Sequence, residues 1–278
     1  MSVLLFTLLV LLGSLLAGFL GALTGLGGGV VIVPLLALVF HVDMRYAIGA
    51  SLVSVIATSS GAAAAYVREG FSNMRIGMFL EIATTIGAIV GALIATHVTT
   101  ATIAIVFGFV LIYSAYLSIR TQPPRPVVES QDPIARTLRL DGDYPTAQGQ
   151  QRYTVHRIPL GFGIMFGAGT LSGLLGIGSG AVKVLAMDQA MRIPFKVSTT
   201  TSNFMIGVTA AASAGVYLAR GYIDPGIAMP VVLGALAGSM LGARVLVNTR
   251  TKSLRIVFSA VIVVLGIEMI FNGFTGRL

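Results

Sequence analysis

Ten apolar stretches, at about 3–23, 29–40, 46–67, 77–97, 101–119, 158–176, 180–191, 198–219, 226–247 and 254–272, take up most of this chain. A helix of about 20 apolar residues crosses the hydrocarbon core of a bilayer, and its backbone satisfies its own hydrogen bonds there. The pattern therefore predicts an all-α polytopic membrane protein. Composition points the same way: 55% of residues are hydrophobic and only 10% are charged, against about 25% charged in an ordinary soluble domain. So few charges cannot coat a soluble surface. That excludes a water-soluble globular protein, a nucleic-acid-binding domain and a disordered chain.

The formal net charge of +8 does not reopen the case for nucleic acid. Its lysines and arginines cluster between the apolar stretches, where the positive-inside bias places them. The chain has no cysteine, so disulfides, thiolate metal sites and cysteine nucleophiles are excluded. The opening MSVLLFTLLVLLGSLLAGFLGALTG lacks a charged leader and an A-x-A exit, which reads as a retained span rather than a signal peptide. One long polar segment interrupts the pattern, from Arg120 to Arg157, with five prolines and ten formal charges. It reads as a cytoplasmic linker too poor in hydrophobes to build a core, at most a small hairpin turning at Asp141-Gly142. The organisation expected is a first transmembrane repeat over 1–119, the linker over 120–157 and a second transmembrane repeat over 158–278.

The word repeat is earned by the residues. Shifted by 151 positions, residues 20–110 fall on 171–261 without a gap and match at 22 of 91 positions. Gly25, Gly27 and Gly29 land on Gly176, Gly178 and Gly180, Ser51 on Ser202, Thr58 on Thr209 and Tyr66 on Tyr217. In each copy the second apolar stretch is about 12 residues, too short to cross at 1.5 Å per residue. Stretches one and two then form a hairpin that enters and returns, and three crossings follow. An odd number of crossings inverts the second copy. With the linker inside, the inverted arrangement puts 13 of the lysines and arginines in the cytoplasm and 3 outside, whereas a parallel one gives 10 and 6. Inverted repeats are the expectation.

The strongest local feature is a pair of glycine clusters, Gly25-Leu26-Gly27-Gly28-Gly29 and Gly176-Ile177-Gly178-Ser179-Gly180. Glycine costs about 1 kcal/mol relative to alanine inside a helix, so several together predict a break. Broken backbone survives at membrane depth only against protein or a water-filled cavity. In repeat-built transporters such breaks line the substrate site, where helix N-termini favour an anion. Close helix packing is the competing reading, and it is the preferred one for Gly87/Gly91 and Gly238/Gly242. A dinucleotide fingerprint lacks its strand and βαβ unit. A serine protease using Ser179 lacks a histidine within a span.

Lys183, three residues past Gly180, either adds positive field to the break or snorkels and pairs with Asp188. Glu81, near the start of its span, reads as interfacial. Among the hydroxyls and amides opening the third stretches, Ser51, Thr58, Ser202, Asn203 and Thr209 are candidates to replace water around an anion. Bonds to their own helix backbone are the alternative. The full candidate set is Gly25, Gly27, Gly28, Gly29, Gly176, Gly178, Ser179, Gly180, Lys183, Ser51, Thr58, Ser202, Asn203 and Thr209. No metal constellation, catalytic triad or ATP-binding loop is apparent, so neither an enzyme nor a cofactor is expected.

The run G-F-L-G-A-L-T-G-L-G-G-G-V-V-I-V-P from Gly18 to Pro34 and its counterpart L-S-G-L-L-G-I-G-S-G from Leu171 to Gly180, with Gly70 or Gly221 after each third stretch, resemble the sulfite exporter TauE/SafE family. The resemblance implies an inner-membrane carrier without cofactor, linked to sulfite, thiosulfate and small organosulfonates such as sulfoacetate. The chain departs from the pattern in having Ser179 opposite Gly28, Leu185 opposite Pro34 and a longer, arginine-bearing linker. The function expected is secondary transport of a small anion, most simply export, by alternating access around a midplane site at the two breaks. A passive anion channel and a non-transporting accessory membrane subunit are the alternatives. The partners expected are the anion, the lipid bilayer and a coupling proton or sodium ion; a homo-oligomer is compatible with all three functions.

Overall fold

The computed structural model describes residues 2–24, 28–68, 72–119, 132–146, 149–246 and 251–276. The first half runs α1 (Val3–Thr24), α2 (Gly29–Pro34), a π-helical turn (Leu35–Val39), α3 (Met44–Arg68), α4 (Met74–Ala95) and α5 (Thr100–Ile119). The linker holds α6 (Pro133–Thr137) and strands β1 (Gly142–Thr146) and β2 (Gly149–Tyr153). The second half repeats the order of the first: α7 (Ile158–Leu175), α8 (Gly180–Leu185), a π-helical turn (Ala186–Ala190), α9 (Phe195–Ala219), α10 (Pro225–Leu246) and α11 (Thr251–Thr275). Local geometry recurs as well. His41 and Arg192, 151 positions apart, both leave their π-helical turns in the left-handed region, at φ 52° and 57°.

This is a multi-pass membrane protein. Five described helices are long and apolar enough to cross a bilayer: Val3–Gly21, Met74–Ala95, Ile158–Leu175, Phe195–Ala219 and Pro225–Gly242. Large apolar side chains face outward along them, among them Leu8, Leu16, Ile82, Met229 and Leu233, each roughly half exposed. Lipid, not water, is the solvent such a surface suits.

The most extensive helix pairings all join one half to the other: α1 on α10, α7 on α4, α5 on α11 and α3 on α9. Small residues bring two of them together. A Cβ on Gly91 would lie 2.0 Å from the Thr170 carbonyl oxygen, and one on Gly87 2.2 Å from that of Phe166. On α10, a Cβ on Gly238 would lie 2.0 Å from the Leu15 carbonyl oxygen. Only glycine permits backbones that close, so packing is what these positions do. Between the long pairs, α2 is enclosed, with every residue from Gly29 to Pro34 buried, and α8 is partly so, with Gly180 and Lys183 buried.

The linker departs from expectation in two ways. The strands pair from Gly142–Tyr153 to Thr146–Gly149, so the chain reverses beyond Thr146 rather than at Asp141-Gly142. Asp141 instead accepts a hydrogen bond from Val155 N at 2.9 Å. Residues 132–157 are also no loose tether. Ala135, Leu140, Tyr153 and Val155 are buried in one cluster with Ile76 and Leu80 of α4 and Met187 and Met191 beside α8. Asn73 Nδ2 donates to the Leu140 carbonyl at 2.9 Å and to the Tyr153 hydroxyl at 2.7 Å. Burial pushes the Tyr153 phenol up to about 12, so this tie stays neutral at any physiological pH. A few hydrophobes suffice here because α4, α7, α9 and the segment after α8 supply the rest of the cluster.

Candidate functional site

Gly25 and Gly27 lie outside the described residues, so the first break is seen from Gly28 onward. Gly28 and Gly29 are buried at the start of α2. In the second break Gly176 and Gly178 have φ +70° and +71°, and Ser179 has φ +46°. The left-handed region costs a glycine little and a serine more. The arrangement is asymmetric, because Gly28, opposite Ser179 in the other copy, sits at an ordinary φ of −64°.

The two breaks meet inside the protein. A Cβ on Gly29 would lie 2.9 Å from the Gly176 carbonyl oxygen and 2.8 Å from Ser51 Oγ. Ser51, on α3, donates its hydroxyl to that same Gly176 carbonyl at 2.8 Å. A first-half side chain thereby satisfies backbone freed by the second-half break, as unwound backbone in a membrane requires. Ser202, its counterpart on α9, donates to the Gly180 carbonyl at 3.3 Å. Gly178 faces Ile206 of α9 and Val55 of α3, so a side chain there would collide with both.

Three hydroxyls near these breaks are buried without a hydrogen-bond partner among the described residues: Ser179 Oγ, on a residue 3% exposed, and Ser54 Oγ and Ser172 Oγ, on residues fully enclosed. Buried polar groups rarely go unpaired without a reason such as water or ligand. Asn203 is half-buried and has no hydrogen-bond partner among the described residues. Thr58 is not brought to the breaks by any contact of its hydroxyl, which bonds back to the Ser54 and Val55 carbonyls of its own helix.

Lys183 and Thr209 belong to a second group. Seven residues along α9 from Ser202, on the same face, the Thr209 hydroxyl accepts from the Lys183 ammonium and donates to Glu81 Oε1 at 2.6 Å. Glu81 Oε2 lies 4.0 Å from Lys183 Nζ. Thr85 donates to Glu81 Oε1 at 3.2 Å. Lys183 has no exposure and Glu81 only 7%. Two expectations are corrected here. Glu81 is not interfacial, because α4 packs against α7 and α9 and encloses it. Lys183 neither snorkels nor pairs with Asp188, because α8 points its side chain between α9 and α4. The sequence does carry a signal for this group, an acidic residue in a first-half span and a basic one in a second-half span. Only the α4–α9 register makes them partners.

A multi-pass bundle of apolar helices, in which Gly29 of the first half meets Gly176 of the second, defines a class, the polytopic helical membrane proteins. The particular family follows from comparison with known proteins. The model of the sulfite exporter TauE/SafE family matches residues 10–269, and the chain belongs to that family. It is 30% identical over 276 residues to the probable membrane transporter protein YunE of Bacillus subtilis, covering 96% of this chain and 98% of YunE. It is 26% identical to the probable membrane transporter protein YdhB of the same organism, over 85% of this chain and 89% of YdhB. To the probable membrane transporter protein MJ0441 of Methanocaldococcus jannaschii it is 25% identical, over 96% of each. No solved structure matches the chain.

Proposed function

We propose that this protein is a secondary carrier of a small anion, with sulfite, thiosulfate and small organosulfonates as the leading class, working as an exporter in the bacterial or archaeal inner membrane. The observation that carries the reading is the contact between the two breaks at Gly29 and Gly176, bridged by Ser51. Family membership supports transport and, through the family's description, a sulfur oxyanion. In this reading the two halves are inverted repeats and the linker is cytoplasmic. The anion lies where the breaks meet, held by backbone N–H groups, by Ser179 and Asn203, and by Ser51 and Ser202 once their hydroxyls exchange the Gly176 and Gly180 carbonyls for it, with Lys183 adding positive field from the next turn. Gly28, Gly29, Gly176, Gly178 and Gly180 keep side chains out of that space. Relative movement of the halves opens the site to one side and then the other. The chemistry suits an oxyanion, since hydroxyls and backbone N–H groups replace its water while Lys183 supplies the countercharge.

The test is the thermal stability of the purified protein with sulfite, thiosulfate, sulfate, sulfoacetate, taurine and simple carboxylates, followed by flux in proteoliposomes. A ligand that binds only the folded state adds about 2.7 kcal/mol at one hundred times its dissociation constant. A selective shift with one sulfur anion, and saturable flux of that anion, are expected. A shift with carboxylates alone would retire the sulfur assignment, and flux without saturation would favour a channel.

A further inference from the structure

Resting on the carrier reading, we infer that Glu81, Thr209 and Lys183 form the coupling site of this transporter, and that the coupled ion is a proton that travels in the same direction as the anion. The argument is one of charge balance. With Glu81 ionised, the buried group holds one positive and one negative charge and is neutral. A singly charged anion drawn toward Lys183 would leave that enclosed space with one net negative charge, and burying a net charge is costly. Taking one proton from the same aqueous side onto Glu81 restores neutrality. The carboxylate becomes a carboxylic acid and Lys183 exchanges its partner for the anion. When the anion leaves on the other side, Glu81 releases the proton there and the original pair re-forms.

The geometry suits such an exchange. The carboxylate and the ammonium do not share a hydrogen bond; the Thr209 hydroxyl stands between them and Glu81 Oε2 has no hydrogen-bond partner among the described residues. That oxygen is free to take a proton without first breaking a bond. Lys183 N bonds to the Ser179 carbonyl at 3.1 Å, so the lysine lies one turn from the second break and the proposed anion site.

No other ion among the described residues performs this role. Of the elements packed against α4, α7 carries no charged or titratable side chain. On α9 stand Lys196 and Arg220, both exposed, and Tyr217, whose hydroxyl donates to Gly173. Beside α8 stands Asp188, half-buried, and the linker brings Tyr153, bonded to Asn73, and His156. On α4 itself the other charge is Arg75, exposed and six residues from Glu81. Because the ions move together, net direction follows the sum of the two gradients, and a large outward anion gradient carries protons out with it.

The experiment uses the full chain in proteoliposomes with thiosulfate and methanesulfonate, whose charges do not change near neutral pH. Anion exchange at equal pH is compared with net uptake driven by an acid exterior, and a trapped pH dye follows protons. One pH unit should accumulate methanesulfonate about tenfold, since a tenfold gradient is 1.36 kcal/mol for one proton or one anion, with internal acidification that tracks the anion. In Glu81→Gln the ratio of flux with the gradient to flux without it should fall to one. Exchange in the wild-type protein without a response to ΔpH, anion influx without acidification, or an unchanged ratio in Glu81→Gln would each overturn the coupling and leave the carrier intact. Absence of exchange of either anion would overturn the carrier reading and this inference with it. The dye measurement on the wild-type protein decides the matter even if the variant fails to fold.

Discussion

At the scale of single residues, the chain concentrates its risk in one buried ion pair and a few hydroxyls. Lys183 and Glu81 are held by Thr209 in a space with almost no exposure. Removing one member of such a pair leaves an uncompensated charge, at a cost of about 3–5 kcal/mol, whereas replacing both by neutral groups is often close to neutral. Lys183→Met alone should therefore lower the melting temperature in detergent markedly, and Lys183→Met with Glu81→Gln should recover most of the loss. Additive losses in the two single variants would show that the pair is not coupled. Periodicity does not reveal such a partnership. Lys183 was legible as a charge beside the break but with snorkelling left open, and Glu81 was misread because nearness to the start of its span was taken for exposure. Enclosure depends on what packs against that turn.

At the scale of elements, the glycines fall into two kinds. Those on α4, α7, α1 and α10 let backbones touch: a Cβ on Gly173 would lie 2.0 Å from the Ala88 carbonyl oxygen. Gly167, on the exposed side of the same helix α7, has nothing within 4 Å of such a Cβ. Gly173→Ala should separate α7 from α4 and destabilise the protein by several kcal/mol, within the range for overpacking or above it. Gly167→Ala should gain up to about 1 kcal/mol from helix propensity. Thermal melts of the two side by side check this, and equal effects would mean that the helix crossing does not govern stability. The helices themselves were plain in the sequence, and their ends differ from the apolar stretches by a few residues. The linker was not, because its four buried residues make a core only with α4, α7, α9 and the segment after α8.

At the scale of the whole molecule, the main pairings all cross between halves, α1 with α10 as α7 with α4, so the halves have to assemble on each other. The inverted arrangement proposed here makes a direct prediction about sidedness. Because the chain has no cysteine, single cysteines can be placed at will. Replacing Thr99 or Arg220, both exposed, should allow labelling from outside the cell, and replacing Lys196 or Gln150 only after the membrane is permeabilised. Labelling of the Lys196 position from outside, with Arg220 protected, would instead indicate parallel halves. A membrane-impermeant maleimide on intact cells is sufficient.

Local composition and motif were enough to set the membrane environment, the order of the apolar helices and the family. Apolar length sets what crosses a bilayer, and clustered glycine sets where a helix stops. Only the tertiary structure decided which partners meet. It set Ser51 on the carbonyl of Gly176, put Glu81 beside Thr209 and Lys183, turned Thr58 back on its own helix and docked the linker. Each of these depends on the register between helices distant in the chain, and that register is set by how closely small residues let the backbones approach.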